Sequence, residues 1–217
     1  MEMDKISQFS ALDKAISCFD YCLRVALPDS SHEVREYPAQ DLDSPSLSEE
    51  ERSHSVGLMR VNHAGEVSAQ GLYLGQSLLA RDTETFFALM EAANEEKEHL
   101  QWCKIRLADL QGGVSVLDGF WFLGSVFIGV FTAGAGDAWS LGFVEETENQ
   151  VVMHLDKHLS ELPEKDIASR AIVSAMRVDE ARHAENAISQ GARKLPKWVR
   201  KIMHFQSKVM TKLAYRL

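Results

Sequence analysis

Two Glu-x-x-His motifs, Glu96-Lys97-Glu98-His99 and Glu180-Ala181-Arg182-His183, stand 84 positions apart in a chain of 217 residues. A lone glutamate precedes each of them, Glu66 by 30 positions and Glu148 by 32. Side chains three apart share a helix face, so one metal ion can take both members of such a motif. One Glu from each of two helices, with Glu-x-x-His from each of two others, is the set by which a four-helix bundle holds two metal ions between carboxylates. A single Glu-x-x-His occurs readily on a solvated helix. A doubled one with a matching upstream Glu points to a metal site.

The elements that must carry these residues are helical. Four long segments are predicted near 49–80, 83–111, 137–160 and 165–190. Ser46 or Ser48 opens the first, followed by Glu49, Glu50 and Glu51, which suit a helix N-terminus. Gly112-Gly113 stops the second, Pro163 separates the third from the fourth, and Gly191 with Pro196 ends the fourth. No strand pattern is visible, so the fold class is all-α. Residues 4–26 carry Phe9, Leu12, Ile16, Phe19 and Leu23 at helical spacing and read as an accessory amphipathic helix. Residues 28–48, with Pro28, Pro38 and Pro45, read as an irregular linker. The chain thus divides into 1–48 and a bundle domain, 49–217.

The third segment offers Glu145, Glu146 and Glu148. Its apolar stripe is Leu141, Val144, Val151, Val152, Leu155 and Leu159, and Glu148 falls at the middle of it, with Glu145 about 60° off centre. A carboxylate centred on a core face is costly unless paired or metal-bound. Glu148 is the preferred ligand and Glu145 the fallback. Glu96 shares a face with Leu89, Ala92, Cys103 and Leu107, and Glu180 with Val173, Met176, Ala184 and Ala187. The face of Glu66 is more polar, with Met59, Asn62, Gln70 and Tyr73.

Net charge is −9, which argues against a nucleic-acid partner. It is unevenly spread: residues 193–217 hold eight Lys/Arg and no acid, leaving −17 for the remainder. Cys18, Cys22 and Cys103 form no disulfide or metal pattern and suit a reducing compartment. Asp4, Asp13 and Asp20 break up the first apolar stretch, so neither a secretory signal nor a mitochondrial transit peptide is expected.

Two stretches suggest a membrane surface. Residues 119–136 carry no charge, five glycines and the aromatics Phe120, Trp121, Phe122, Phe127 and Phe131. Their length is marginal for a span, and we read them as a membrane-interface or substrate-tunnel element. In 193–217, Trp198, Ile202, Phe205, Val209 and Leu213 line one helical face among basic residues, the pattern of a helix lying on anionic lipid. An ordinary packing helix with a solvated basic face is the alternative.

Arg60-Val61-Asn62-His63-Ala64-Gly65-Glu66 resembles the hallmark motif of the Coq7 family of demethoxyubiquinone hydroxylases. The likeness runs from about Arg52 to Leu217 and takes in Glu96-x-x-His99, Gly134-Ala135-Gly136, Val144-Glu145-Glu146 and Val178-Asp179-Glu180-Ala181-Arg182-His183. It implies a ferritin-like antiparallel bundle with two Fe ions per chain, bound by Glu66, Glu96, His99, Glu180 and His183, and by Glu148 or, through Val-Glu-Glu, Glu145. The implied reaction is O2-dependent ring hydroxylation of a polyprenyl demethoxybenzoquinol in ubiquinone biosynthesis, with electrons from NADH or a reductase. The implied place is peripheral, on the cytoplasmic face of a bacterial cell membrane, or the inner mitochondrial membrane in a eukaryote. A homo-oligomer or a ubiquinone-biosynthesis complex is compatible with it. His154, six positions after Glu148, is read as a catalytic group behind the ligands or on the electron route, against the plainer reading of an exposed helix histidine. Many relatives have His-Tyr here; this chain has His154-Leu155, so that tyrosine's role is expected to be missing. Other readings of the same ligand set are a tRNA-modifying monooxygenase, a manganese catalase or an iron-storage bundle. Residues 1–50 lie outside the resemblance and receive no function from it.

Overall fold

Ser48 starts the bundle. Its hydroxyl accepts a hydrogen bond from the Glu51 amide (3.2 Å), and the Glu51 carboxylate accepts one from the Ser48 amide (2.8 Å), a reciprocal cap for the first turn. The computed structural model describes residues 10–26, 35–42 and 45–217, with the backbone alone at 11 and 22–26. It contains α1 (Ala11–Ala26), α2 (Glu49–Leu79), α3 (Thr83–Asp109), α4 (Asp118–Gly134), α5 (Asp137–Glu161), α6 (Ile167–Ser189) and α7 (Lys197–Ala214). There is no strand among the described residues. Phe9, the start of the predicted N-terminal helix and part of the predicted linker lie outside them.

Short turns make α2–α3 and α5–α6 two antiparallel hairpins, and their association gives a ferritin-like four-helix bundle. The single long crossover, from α3 to α5, contains α4. The Asp137 carboxylate at the start of α5 accepts hydrogen bonds from the Arg81 and Asp82 amides, which pins the α2–α3 turn to the other hairpin. A core of Met59, Trp102, Leu107, Leu155, Ile172 and Met176 fills one end of the bundle. Tyr73, Phe86, Leu89, Ala93 and Val144 fill the other. The metal-motif residues lie between them.

The crossover helix lies directly on α2. A Cβ at Gly71 or Gly75 would overlap the carbonyl oxygen of Phe122 or Val126, and one at Gly129 would overlap that of Leu72. Absence of side chains is what permits this backbone-to-backbone approach. The far face of α4, with Phe120, Leu123, Phe127 and Phe131, is exposed, Phe131 by 84%. The apolar stripe of α7 also faces outward: Trp198, Ile202 and Phe205 are exposed, Phe205 by 70%. In α1 the packed face is Lys14, Cys18 and Tyr21, whereas Leu12, Ile16 and Phe19 are exposed. Lys14 Nζ donates to the Ala80 carbonyl (2.6 Å) and Tyr21 OH to that of Ala93 (2.8 Å). No helix among the described residues is long and apolar enough to cross a membrane.

Candidate metal centre

Four helices each bring a carboxylate to the middle of the bundle: Glu66 from α2, Glu96 from α3, Glu148 from α5 and Glu180 from α6. His99 and His183 stand one turn beyond Glu96 and Glu180, and all six residues are buried. His99 Nδ1 lies 3.0 Å from Glu96 Oε2, 3.1 Å from Glu180 Oε1 and 3.7 Å from Glu66 Oε2. His183 Nδ1 lies 3.0 Å from Glu180 Oε2 and 3.2 Å from Glu96 Oε1. Glu96 and Glu180 therefore each turn one oxygen to either histidine. Glu66 completes the His99 side. Glu148 groups with Glu180 and His183 on the other.

The outward nitrogens are held by acids. His99 Nε2 is 3.0 Å from Asp179 Oδ2, and His183 Nε2 is 2.5 Å from Glu95 Oε2. Asp179 immediately precedes Glu180, and Glu95 immediately precedes Glu96, so each motif's leading acid supports the other motif's histidine. Arg182 bridges the two acids, reaching Asp179 Oδ1 (3.0 Å) and Glu95 Oε2 (3.1 Å). Neither acid was singled out in the sequence. The signal was present as an acid repeated at the position before each motif glutamate.

Proton affinities follow from this crowding. Burial, reinforced by Glu96, pushes Glu66 well above the usual carboxylate range, and burial with Glu180 and Glu96 does the same to Glu148. Burial also opposes the charged form of Glu96, but the imidazoles of His183 and His99, 3.2 and 3.0 Å from its two oxygens, prevail and hold it low. Burial opposes a charged His183 as well; Glu180 and Glu96 overcome it and push that imidazole up to about 12. For His99, Asp179 and Glu180 likewise outweigh burial, and its affinity rises. Protons on the two imidazoles thus offset the carboxylates where cations would otherwise do so.

The donor set fits metal ions. Glu66, Glu96, His99 and Glu180 offer ligand atoms within 4.8 Å of one another, as do Glu148, Glu180 and His183. Both Nδ1 atoms point inward and both Nε2 atoms donate outward to carboxylates, the arrangement that fixes a metal-binding tautomer. Glu96 Oε1 is buried without a properly directed hydrogen bond, although His183 is within 3.2 Å. A buried carboxylate oxygen in that condition is costly unless a cation meets it.

Tyr73 from α2 donates its hydroxyl hydrogen to Glu148 Oε1. The phenol is fully buried, and burial followed by the nearby Glu148 charge raises its proton affinity, so it remains a donor. The sequence placed Tyr73 only on the flank of Glu66 and expected no tyrosine role on α5; the structure brings a phenol to the centre from α2. Glu145 stays outside the cluster, half-buried, and Glu146 turns to Gln150 and Arg200.

His154 is not among the clustered donors. It lies in the wall of a cavity of about 410 Å³ between α2, α4, α5 and α7, whose lining includes Glu66, Asn62, Trp121 and Met210. Its ring is 4.1 Å from that of His158, and His158 Nδ1 is 2.7 Å from Asn62 Oδ1. Burial, with Lys157 nearby, pushes His154 down to about 4, and burial with His154 pushes His158 down to about 2. Both are neutral near pH 7. His154 Nε2 and Trp121 Nε1 are buried without a hydrogen-bond partner.

The model of the family described as "Ubiquinone biosynthesis protein COQ7" matches residues 53–214. A "3-demethoxyubiquinol 3-hydroxylase" of Chromobacterium violaceum is 50% identical over 206 residues, covering 95% of this chain and 100% of the relative. One of Nitrosococcus oceani is 48% identical over 215 residues and covers 99% of both chains. One of Xanthomonas oryzae pv. oryzae is 51% identical over 183 residues, 84% of each chain.

Proposed function

The chain belongs to the COQ7 family of ubiquinone biosynthesis proteins, and from that membership we propose that it hydroxylates the ring of a polyprenyl demethoxybenzoquinol with O2. The observation that carries this is the meeting of cavity and cluster: Glu66 belongs to both. Two iron ions bound by Glu66, Glu96, His99, Glu148, Glu180 and His183 would supply the reduction of O2 and the transfer of one oxygen atom to a ring carbon. The other oxygen leaves as water, so each turnover consumes two electrons, drawn from NADH or a reductase, and two protons, supplied by solvent and, where NADH is the donor, by its hydride.

The residues of the chain have definable parts in this. Leu72, Ile128, Phe143 and Val151 give the cavity an apolar wall suited to a quinol ring and the first part of its tail. His154 and Trp121 line the cavity as well, each with a buried ring nitrogen that has no hydrogen-bond partner, and Asn62, Ser125 and Gln150 add polar side chains to the same wall. Tyr73 holds Glu148, and Asp179 and Glu95 hold the two imidazoles.

The test is conversion of demethoxyubiquinol in lipid vesicles by purified protein, iron-loaded and supplied with reductant, under 18O2. The product should gain one 18O atom, and the active protein should hold two irons per chain. Absence of product from iron-loaded protein, or product oxygen drawn from water, overturns the reading.

The substrate's tail requires access to lipid, and three exposed apolar stripes support peripheral attachment on the cytoplasmic face of a bacterial cell membrane. Phe120 and Trp121 of α4 and Met203 and Met210 of α7 line the cavity, so it runs between the two helices that carry two of those stripes. Basic residues of α7 add about 1 kcal/mol each close to anionic lipid. Flotation with anionic liposomes should fall with salt and fall further in Trp198→Glu/Phe205→Glu, whose targets are exposed. No flotation at low salt refutes it.

A further inference from the structure

Resting on the metal reading above, we propose that Arg35, in the segment ahead of the bundle, is a positioning residue for the metal centre, acting through Asp179 on His99. Its guanidinium donates to both oxygens of Asp179, NH2 to Oδ2 at 2.6 Å and NH1 to Oδ1 at 3.3 Å. Its Nε donates to Glu98 Oε2 at 2.5 Å, and the guanidinium carbon sits 4.8 Å from the centre of the Trp102 ring. Arg35 thereby spans α3 and α6 from outside both. Asp179 Oδ2, the oxygen it grips most closely, is the one 3.0 Å from His99 Nε2. The inward nitrogen of that same ring faces Glu66, Glu96 and Glu180. Two steps connect a surface arginine to a metal-facing atom.

The segment is seated. Ala39 is buried, Tyr37 packs against the core that contains Trp102 and Leu107, and the Gln40 amide closes a turn on the Tyr37 carbonyl (2.9 Å). Support of the two histidines is therefore unequal. Glu95, behind His183, is gripped by Arg182 of the bundle itself. Asp179, behind His99, has Arg182 on one oxygen and Arg35 across both. A planar arginine fork sets the rotation of a carboxylate, which a point charge does not. The carboxylate's rotation in turn sets the tilt of His99 and holds the proton on Nε2.

Magnitudes separate this role from stapling. The Arg35 side chain is 45% exposed, and a pair that open to water contributes about 0–1 kcal/mol to stability. Groups that orient metal-binding histidines change affinity by about 10–100-fold.

The experiment is cobalt(II) titration of the metal-stripped full-length chain, reading affinity and the visible absorption band, which reports the ligand geometry. The Arg35→Gln variant is expected to bind one equivalent about 10-fold more weakly, with a shifted band. The Arg35→Gln/Asp179→Asn double variant is expected to be no weaker than Asp179→Asn alone, because both changes break one chain of contacts. Wild-type affinity and band in Arg35→Gln, or full additivity in the double variant, overturns the proposal. A lowered unfolding midpoint with an unchanged cobalt band also overturns it, since that marks stapling alone. Failure of the unsubstituted chain to bind cobalt would instead strike the metal reading.

Discussion

Tyr73 and Glu148 meet across the bundle: a phenol from α2 donates to a carboxylate from α5 where both are shut off from water. Among the described residues, Glu148 is also the one clustered metal-ligand carboxylate on the His183 side that comes from neither Glu-x-x-His motif. Its orientation therefore depends on Tyr73. In Tyr73→Phe we expect metal content to be retained and turnover to fall about 10–100-fold, the range for groups that hold metal ligands in place. Metal analysis beside steady-state rates checks this; equal losses of both would mean that Tyr73 is needed to bind metal at all.

The metal-free protein should lose stability as pH rises. Burial disfavours charge on His183, but Glu180 and Glu96 hold it protonated up to about 12, against 6.5 ordinarily. Its contribution is fully present below 6.5 and fades as pH climbs toward about 12. Glu66 and Glu148, raised by burial, have the same sign: their cost to the fold appears above the ordinary carboxylate value of 4.5. Metal ions replace protons at these atoms, so the loaded protein should be far less sensitive over the same interval. Urea midpoints at pH 6, 8 and 9.5, with and without metal, measure the difference, and parallel curves for the two forms would contradict it.

Arg106 joins α3 to α6 away from the centre. It donates to Ser169 Oγ (2.9 Å) and to the fully buried Asp166 (2.7 Å), whose carboxylate also accepts from the Ser169 amide at the start of α6. Arg106→Met should destabilise the chain by about 3–5 kcal/mol, because Asp166 is left as a buried charge without its cation. Asp166→Asn in the same background should recover part of that loss, and the cobalt band should not move. Chemical denaturation gives the stabilities.

His154→Ala should leave metal content intact, since the ring lies outside the donor cluster and in the cavity wall. A role in holding the quinol ring predicts a raised KM with a smaller change in kcat. A fall in kcat alone would favour a role on the electron route, and wild-type kinetics would leave His154 as a wall residue only.

The centre was legible in the sequence to the extent that helical periodicity governs it. An i, i+3 pair, and a carboxylate set in the middle of an apolar stripe, are local patterns, and they brought out the six residues that the fold draws together. The supporting groups obey no such pattern. Asp179 and Glu95 sit beside charged neighbours and read as solvated helix faces. Tyr73 reaches Glu148 across 75 positions and Arg35 reaches Asp179 across 144, so only the packed bundle reveals either. Amphipathic stripes have a different weakness: they show that a helix has two faces, not which one meets the protein. In α1 the packed face is Lys14, Cys18 and Tyr21, stabilised by directed hydrogen bonds, while Leu12, Ile16 and Phe19 are left outside.

The contact of α4 on α2 sets the bore of the cavity by what is missing. Phe120, Trp121, Ser125 and Ile128 form one wall and Leu72, Ala69 and Glu66 another, and the distance between those walls is set where Gly71, Gly75 and Gly129 let two backbones touch. A methyl group at any of the three would act as a shim, lifting α4 and carrying a whole wall with it. The metal-binding side chains belong to α2, α3, α5 and α6 and none to α4, so a displacement of α4 changes the width of the channel without moving a helix that carries a ligand. Gly75→Ala should therefore change which ring and tail sizes are accepted before it changes how metal is held, making these glycines the calibre of the enzyme rather than part of its chemistry.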